Sequence, residues 1–131
     1  MSVESTRQVL MRYFEAAHGD VSMMAPDVVF RIMGTGQEHR GPDGVAQMLD
    51  YFYHVAFDAK AETKKLIVAE GNAVWEGDFV GKHIGEFMGI PATNKDVRVP
   101  LCVVYDVAGE RITEGRVYFE APALLAQLGV A

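Results

Sequence analysis

Two ionisable side chains stand where a strand could turn them to chemical use. Asp78 lies in Ala-Val-Trp-Glu-Gly-Asp-Phe-Val-Gly-Lys-His-Ile, residues 73 to 84, a run rich in β-branched and aromatic residues that reads as a strand. Alternation puts Glu76, Asp78, Val80 and Lys82 on one of its faces. If that face lines an apolar interior, burial raises the carboxyl pKa and poises Asp78 to move a proton or bind a polar group; if it faces outward, Asp78 is a solvated acid on an edge. Gly77 and Gly81 often mean a bulge, and a bulge flips the parity of the residues beyond it, so both placements stay open. His83, between Gly81 and Gly85, offers an imidazole that can act as acid or base, or simply hold a hairpin by hydrogen bonds.

Other chemistries lack their residues. His18, His39, His54 and His83 are too dispersed for a short metal motif, and neither HExxH nor CxxC occurs. Gly34 and Gly36 do not continue into a dinucleotide fingerprint, and there is no G-x-S-x-G elbow or phosphate loop. No cofactor and no metal are therefore expected. Cys102, inside Val-Pro-Leu-Cys-Val-Val-Tyr, reads most simply as a small apolar side chain; a reactive thiol would need a cation that its sequence neighbours do not supply. A net charge of −6, with Lys64-Lys65 as the longest basic run, argues against nucleic acid. The apolar runs are too short for a membrane span, and Glu4, Arg7 and Arg12 interrupt the region where a signal peptide needs an apolar core, which reads as a cytoplasmic protein.

The elements that must position these residues can be read from periodicity. The 131 residues, half of them apolar and 23% charged, are expected to form a single domain spanning 1–131. Val9, Leu10, Tyr13, Phe14 and Ala17 recur at helical spacing over residues 3 to 17, with Ser5 and Gln8 as a capping box and His18-Gly19-Asp20 as the stop. Val21 to Ala25 allows one short further helical turn before Pro26. Asp27 to Met33 reads as a short strand. Pro42 starts a second helix, with Val45, Met48, Leu49, Phe52 and Ala56 along one face. Strands are expected at 59–69, 73–84, 96–106 and 111–119, joined mostly as antiparallel hairpins, before a last helical turn that bears Leu124, Leu125 and Leu128. The helices need an apolar surface to cover and only the sheet offers one, so the class is α+β with a cone-shaped cavity beneath a bent sheet.

The segment Gly81-Lys-His-Ile-Gly-Glu-Phe-Met-Gly-Ile-Pro-Ala-Thr-Asn-Lys95, with Gly109-Glu-Arg-Ile112, Tyr118-Phe-Glu120 and Leu125-Ala-Gln-Leu-Gly129, resembles the SnoaL-like polyketide cyclase family. That family belongs to the nuclear transport factor 2-like, or cystatin-like, superfamily, with its ketosteroid isomerases and limonene epoxide hydrolases. Asp20 to Met33 and Gly41-Pro-Asp-Gly-Val45 extend the resemblance over nearly the whole chain. It implies a cone-shaped half-barrel, a homodimer, and a hydrophobic pocket for a small hydrophobic molecule. The activity implied is a cofactor-independent isomerase or cyclase acting on a carbonyl compound; the alternatives are an epoxide hydrolase-like enzyme or a non-catalytic ligand-binding domain.

By the same resemblance the relatives' acids fall on apolar positions: Ile32 for the isomerases' proton-shuttling aspartate, Leu101 for their enolate-binding acid, Val117 for the last-strand aspartate of hydrolases and cyclases. Asp78 falls where epoxide hydrolases keep the arginine of their triad, and Tyr13 at about the place where the isomerases keep a phenolic donor, although Tyr13 reads more simply as a core aromatic with its hydroxyl at the rim. The catalytic candidates are thus Asp78 as base with Tyr13 or His83 as donor. Phe14, Ala17, Phe30, Ile32, Met48 and Phe52 are expected to line the pocket from the N-terminal half. Glu76, Val80, Leu101, Val103, Val117 and Phe119 would line it from the strands.

Overall fold

Ser2 opens helix α1 (Val3–Glu15): the Ser5 N–H donates to its hydroxyl and the Ser2 N–H donates to the Ser5 hydroxyl, each at 3.0 Å. The box thus sits three residues before the expected Ser5 and Gln8 pair, because the Ser5 side chain is already the returning partner. The structure, a computed structural model, describes residues 2–16 and 20–130; the expected stop at His18-Gly19 lies outside them.

Strand β1 (Met24–Ile32) begins earlier than expected and includes Pro26, so the chain from Met24 is extended rather than helical. A turn at Gly34 and Gly36 folds it back as the short β2 (Gln37–Arg40), which the sequence pattern did not announce: four polar residues carry no apolar alternation. Helix α2 (Gly41–Asp50) starts with Pro42 in its first turn, and Val45, Met48 and Leu49 are buried. It does not run on as an α-helix to Ala56. Tyr51–Val55 widen into a π turn, closed by the Ala56 N–H on the Tyr51 carbonyl at 2.7 Å.

Four long strands come next, β3 (Phe57–Ala69), β4 (Asn72–His83), β5 (Asp96–Ala108) and β6 (Arg111–Phe119), and then α3 (Ala121–Leu128), ended by Gly129 in the left-handed region at φ 84°. The sheet order is β2-β1-β6-β5-β4-β3, with only β1 and β6 parallel. β3 is therefore an edge along its whole length.

Register settles the parity question. The ladder between β3 and β4 shifts at Lys64, between Thr63 opposite Gly77 and Lys65 opposite Glu76, so the bulge is in β3 and β4 keeps strict alternation. Gly77 serves close approach instead, since a Cβ there would fall 2.1 Å from the Glu62 carbonyl oxygen and 2.6 Å from the indole ring of Trp75. Gly115 does the same for Phe30, whose ring a Cβ would meet at 2.8 Å. Two large rings thus come close over glycines of the sheet, and both belong to the buried core of the molecule.

Candidate functional site

Between the concave face of the sheet, α1, α2 and the π turn lies a cavity of about 420 Å³. Its walls are mostly rings and branched chains, as expected of a small-molecule site. Tyr13 and Phe14 come from α1, Phe30 and Ile32 from β1, Met48 from α2 and Phe52 from the π turn; Leu101 and Val103 come from β5, Val117 and Phe119 from β6. All ten were expected there. Ala17 lies outside the described residues.

Four expected residues are not in the wall. Asp78, Glu76 and Val80 share the convex face of β4, because Trp75 and Phe79 occupy the concave one. Asp78 instead sits in a second, more open hollow on that convex face, with Lys64, Cys102 and Tyr118. Its side chain is only 6% exposed, and its Oδ2 lies 3.0 Å from the Arg98 guanidinium and 3.4 Å from the Lys64 ammonium. The hydrogen bond from Arg98, above all, holds its carboxyl below the usual carboxylate range, the opposite of a base poised by an apolar pocket. Cys102 beside it is kept a thiol, because partial burial and then Glu76 push its pKa up.

His83 is on the concave side of β4 but beyond the cavity, fully buried against Phe57 with ring centroids 5.1 Å apart. The Thr93 N–H donates to its Nδ1 at 3.2 Å, and the Thr93 hydroxyl lies 3.0 Å from the same atom. An amide can only donate, so Nδ1 carries the lone pair and the hydrogen is on Nε2. That Nε2 is buried with no hydrogen-bond partner among the described residues. The ring fastens the β4–β5 connection.

The polar equipment of the cavity is phenolic. Tyr105 stands opposite Gly115 in the ladder, which leaves room for its ring to pack edge-on to Phe30, Tyr13 and Phe14 at centroid distances of 6.1, 5.9 and 5.8 Å. Burial, above all, raises the pKa of both the Tyr13 and Tyr105 phenols, and the two hydroxyls are hydrogen-bond partners of one another. Tyr53 of the π turn, the third phenol in the wall, is pushed up to about 12 by burial. All three stay protonated at neutral pH and act as donors. One hydrogen bond between two hydroxyls leaves the Tyr13–Tyr105 pair one hydrogen for something else.

At the β3 end the wall consists of Lys60, Ala61 and Thr63 with Trp75. The Trp75 indole N–H donates to the Thr63 hydroxyl at 2.8 Å. The Lys60 ammonium is turned to Glu62, 3.4 Å away, and Glu62 in turn meets Arg98 on the convex side. No carboxylate or imidazole lines the cavity among the described residues. Nor, among them, do three or more His, Cys, Asp or Glu side chains gather as a metal would require.

Sequence reading missed Tyr53, Trp75, Phe79 and Thr63. For Trp75 and Phe79 the signal was present: they alternate with Glu76 and Asp78, and choosing the aromatic face as the inner one would have found them. Tyr53 had no such signal, because α-helical spacing aims Phe52 and not its neighbour at the core, and only the π turn brings both inward.

The model of the SnoaL-like polyketide cyclase family matches residues 11–128. The chain belongs to that family. Solved structures share the fold at low identity. One is TsrD from Streptomyces laurentii, with a TM-score of 0.83 and 20% identity over 100% of this chain and 99% of that one. Another is a candidate SnoaL-like polyketide cyclase from Jannaschia sp. CCS1, with a TM-score of 0.82 and 17% identity over 98% and 94%. A third, from Catenulispora acidiphila, has a ketosteroid isomerase-like fold and was solved in complex with trimethylamine; its TM-score is 0.75 and its identity 17% over 96% and 95%. Among curated protein sequences none matches the chain. The family's α+β half-barrel is thus the fold seen here, and no helix among the described residues is long and apolar enough to cross a membrane.

Proposed function

We propose that this SnoaL-like domain binds a small, uncharged, hydrophobic carbonyl compound in the cavity and polarises its carbonyl through the Tyr13 hydroxyl. One observation carries the reading: the cavity is mostly apolar, Lys60 at its edge is turned to Glu62, and the ionisable groups left are protonated phenols, of which the Tyr13–Tyr105 pair has a hydrogen to donate. A donor placed where negative charge develops stabilises an enolate or alkoxide, which is the contribution an isomerase or cyclase without a cofactor needs. Proton removal then falls to the substrate itself or to water. The trimethylamine held by the Catenulispora protein supports small-molecule binding by this fold.

The second reading is a binding domain without turnover, favoured by the absence of a carboxylate or imidazole from the described cavity wall. A hydrolase of the epoxide type has the least support, since its acid has no counterpart there.

Trp75 is the chain's one tryptophan and lines the cavity, so its emission reports occupancy. Titration with 2-acetylnaphthalene is expected to quench it saturably, and Val103→Phe, which fills the cavity, to abolish the response. Unsaturable quenching that the variant leaves unchanged defeats the binding reading. Exchange of the ligand's methyl protons in D₂O, monitored by NMR, then separates the two readings: acceleration that Tyr13→Phe removes identifies an enzyme, and exchange at the solvent rate identifies a binding domain. The convex face, where Tyr118 is 45% exposed beside Arg116 and Glu114, fits pairing with a second copy, to be tested by sedimentation at several concentrations.

A further inference from the structure

The cavity offers hydrogen to a ligand at two separate places. One is the phenol pair Tyr13 and Tyr105, both in the wall with ring centroids 5.9 Å apart, which as hydrogen-bond partners keep one hydrogen to give. The other is the Thr63 hydroxyl on the edge strand. Trp75 Nε1 donates to its oxygen at 2.8 Å, which uses one lone pair and leaves the Thr63 hydrogen to point elsewhere; no described residue accepts it. A hydroxyl that accepts a hydrogen bond becomes the better donor.

The ladder fixes the spacing of the two strand positions beneath these places, Tyr105 and Thr63. Tyr105 pairs with Ala73 and Thr63 pairs with Gly77, so they stand two strands and four residues apart on the same concave face. At standard spacings this is about 10 Å across the sheet and about 13 Å along it. Trp75 and Val103 lie on the face between them and present only apolar surface once the indole N–H is taken. Thr63 and Ala61 are exposed although they line the cavity, so the second donor stands at the mouth and the phenols stand deep inside.

We infer that the ligand is two-ended: an uncharged apolar body with a hydrogen-bond acceptor at each end, the inner one a carbonyl for Tyr13 and the outer one an ether, hydroxyl or second carbonyl oxygen for Thr63. This rests on the carbonyl reading above and adds the outer anchor to it. Thr63 then selects the substrate by its far end, and the ligand enters with its carbonyl first. A ligand lacking the outer oxygen loses one hydrogen bond and keeps its apolar contacts.

Four naphthalenes separate the contributions: 2-acetyl-6-methoxynaphthalene with both acceptors, 2-acetylnaphthalene and 2-methoxynaphthalene with one each, and 2-ethylnaphthalene with none. Calorimetric titration of the native protein is expected to show the two-ended probe binding roughly three- to tenfold more tightly than 2-acetylnaphthalene, the worth of one hydrogen bond. Thr63→Val, nearly isosteric, is expected to erase that difference and leave 2-acetylnaphthalene unaffected, while Thr63→Ser retains it. Tyr13→Phe is expected to weaken both acetyl probes and leave the other two alone. Equal affinity of the two acetyl probes for the native protein overturns the inference and leaves the carbonyl reading standing, as does a Thr63→Val loss shared by all four, which marks Thr63 as only a fastening for Trp75. Equal affinity of 2-acetylnaphthalene and 2-ethylnaphthalene overturns the carbonyl reading, and failure of every probe to bind overturns both.

Discussion

Tyr13, Tyr53 and Tyr105 are ordinary phenols in an unfolded chain, ionising at about pH 10. Burial moves all three upward, Tyr53 to about 12. A folded-state pKa above the unfolded one means that the native state holds its proton longer, so the stabilisation is complete below pH ~10 and is lost as pH rises through the folded values. An ultraviolet titration is therefore expected to show the exposed tyrosines ionising first and these three only with alkaline unfolding; three early, fully reversible ionisations would contradict their burial. Asp78 belongs to the opposite case. Its lowered pKa contributes stability above the usual carboxylate range that is lost in acid, and its place on the convex face predicts that Asp78→Asn leaves ligand affinity unchanged while lowering the melting temperature at neutral pH. The sequence showed that Glu76, Asp78 and Val80 share a face. Alternation alone is symmetric between the two faces, and the cue that breaks the tie is the aromatic character of Trp75 and Phe79 on the other one.

The elements carry the site through small backbone irregularities. The π turn lets adjacent Phe52 and Tyr53 both reach the cavity, and nothing in helical periodicity announces it. Gly77 and Gly115 were visible as glycines in strands, but their task is to seat Trp75 and Phe30, and the bulge that glycine often signals lies at Lys64 instead. Gly115→Ala is expected to force Phe30 aside at a cost of about 1–3 kcal/mol, read by urea denaturation, with loss of ligand binding as the cavity floor tilts. His83 holds the β4–β5 connection through Thr93, a link between residues ten apart that no motif encodes. His83→Phe leaves the Thr93 amide without its acceptor, so faster hydrogen exchange at Thr93 and Asn94 is expected, with ligand affinity nearly preserved.

Across the whole molecule the sheet separates two kinds of chemistry. The convex face carries an ionic mesh in which Arg98 meets Glu62 and Asp78, Arg116 meets Asp106 and Glu114, and Arg31 meets Glu38 and Glu114. The concave face is neutral. Binding of an uncharged ligand is accordingly expected to change less than about twofold between roughly 0.05 and 0.5 M salt, whereas screening weakens the exposed ion pairs; a steep salt dependence measured by calorimetry would mean that charge reaches the cavity after all. The α+β class, the pairing of the hairpins and ten wall residues were legible because strand alternation and helix stripes survive in the sequence. The polarity of the wall was not, because Tyr53 and Thr63 enter it through a widened turn and an edge.

β3 leaves one side of its thirteen-residue ladder without a neighbouring strand. Such a row of free amides and carbonyls is a template on which another chain can crystallise as a further strand, and from there a fibre can grow. Lys60, Lys64 and Lys65, with the bulge at Lys64, are what keep this border from propagating. The same strand supplies Ala61 and Thr63 to the mouth of the cavity. Solubility and ligand access thus share one stretch of chain, and a library that randomises β3 to alter specificity will select against insoluble variants before it selects for binding.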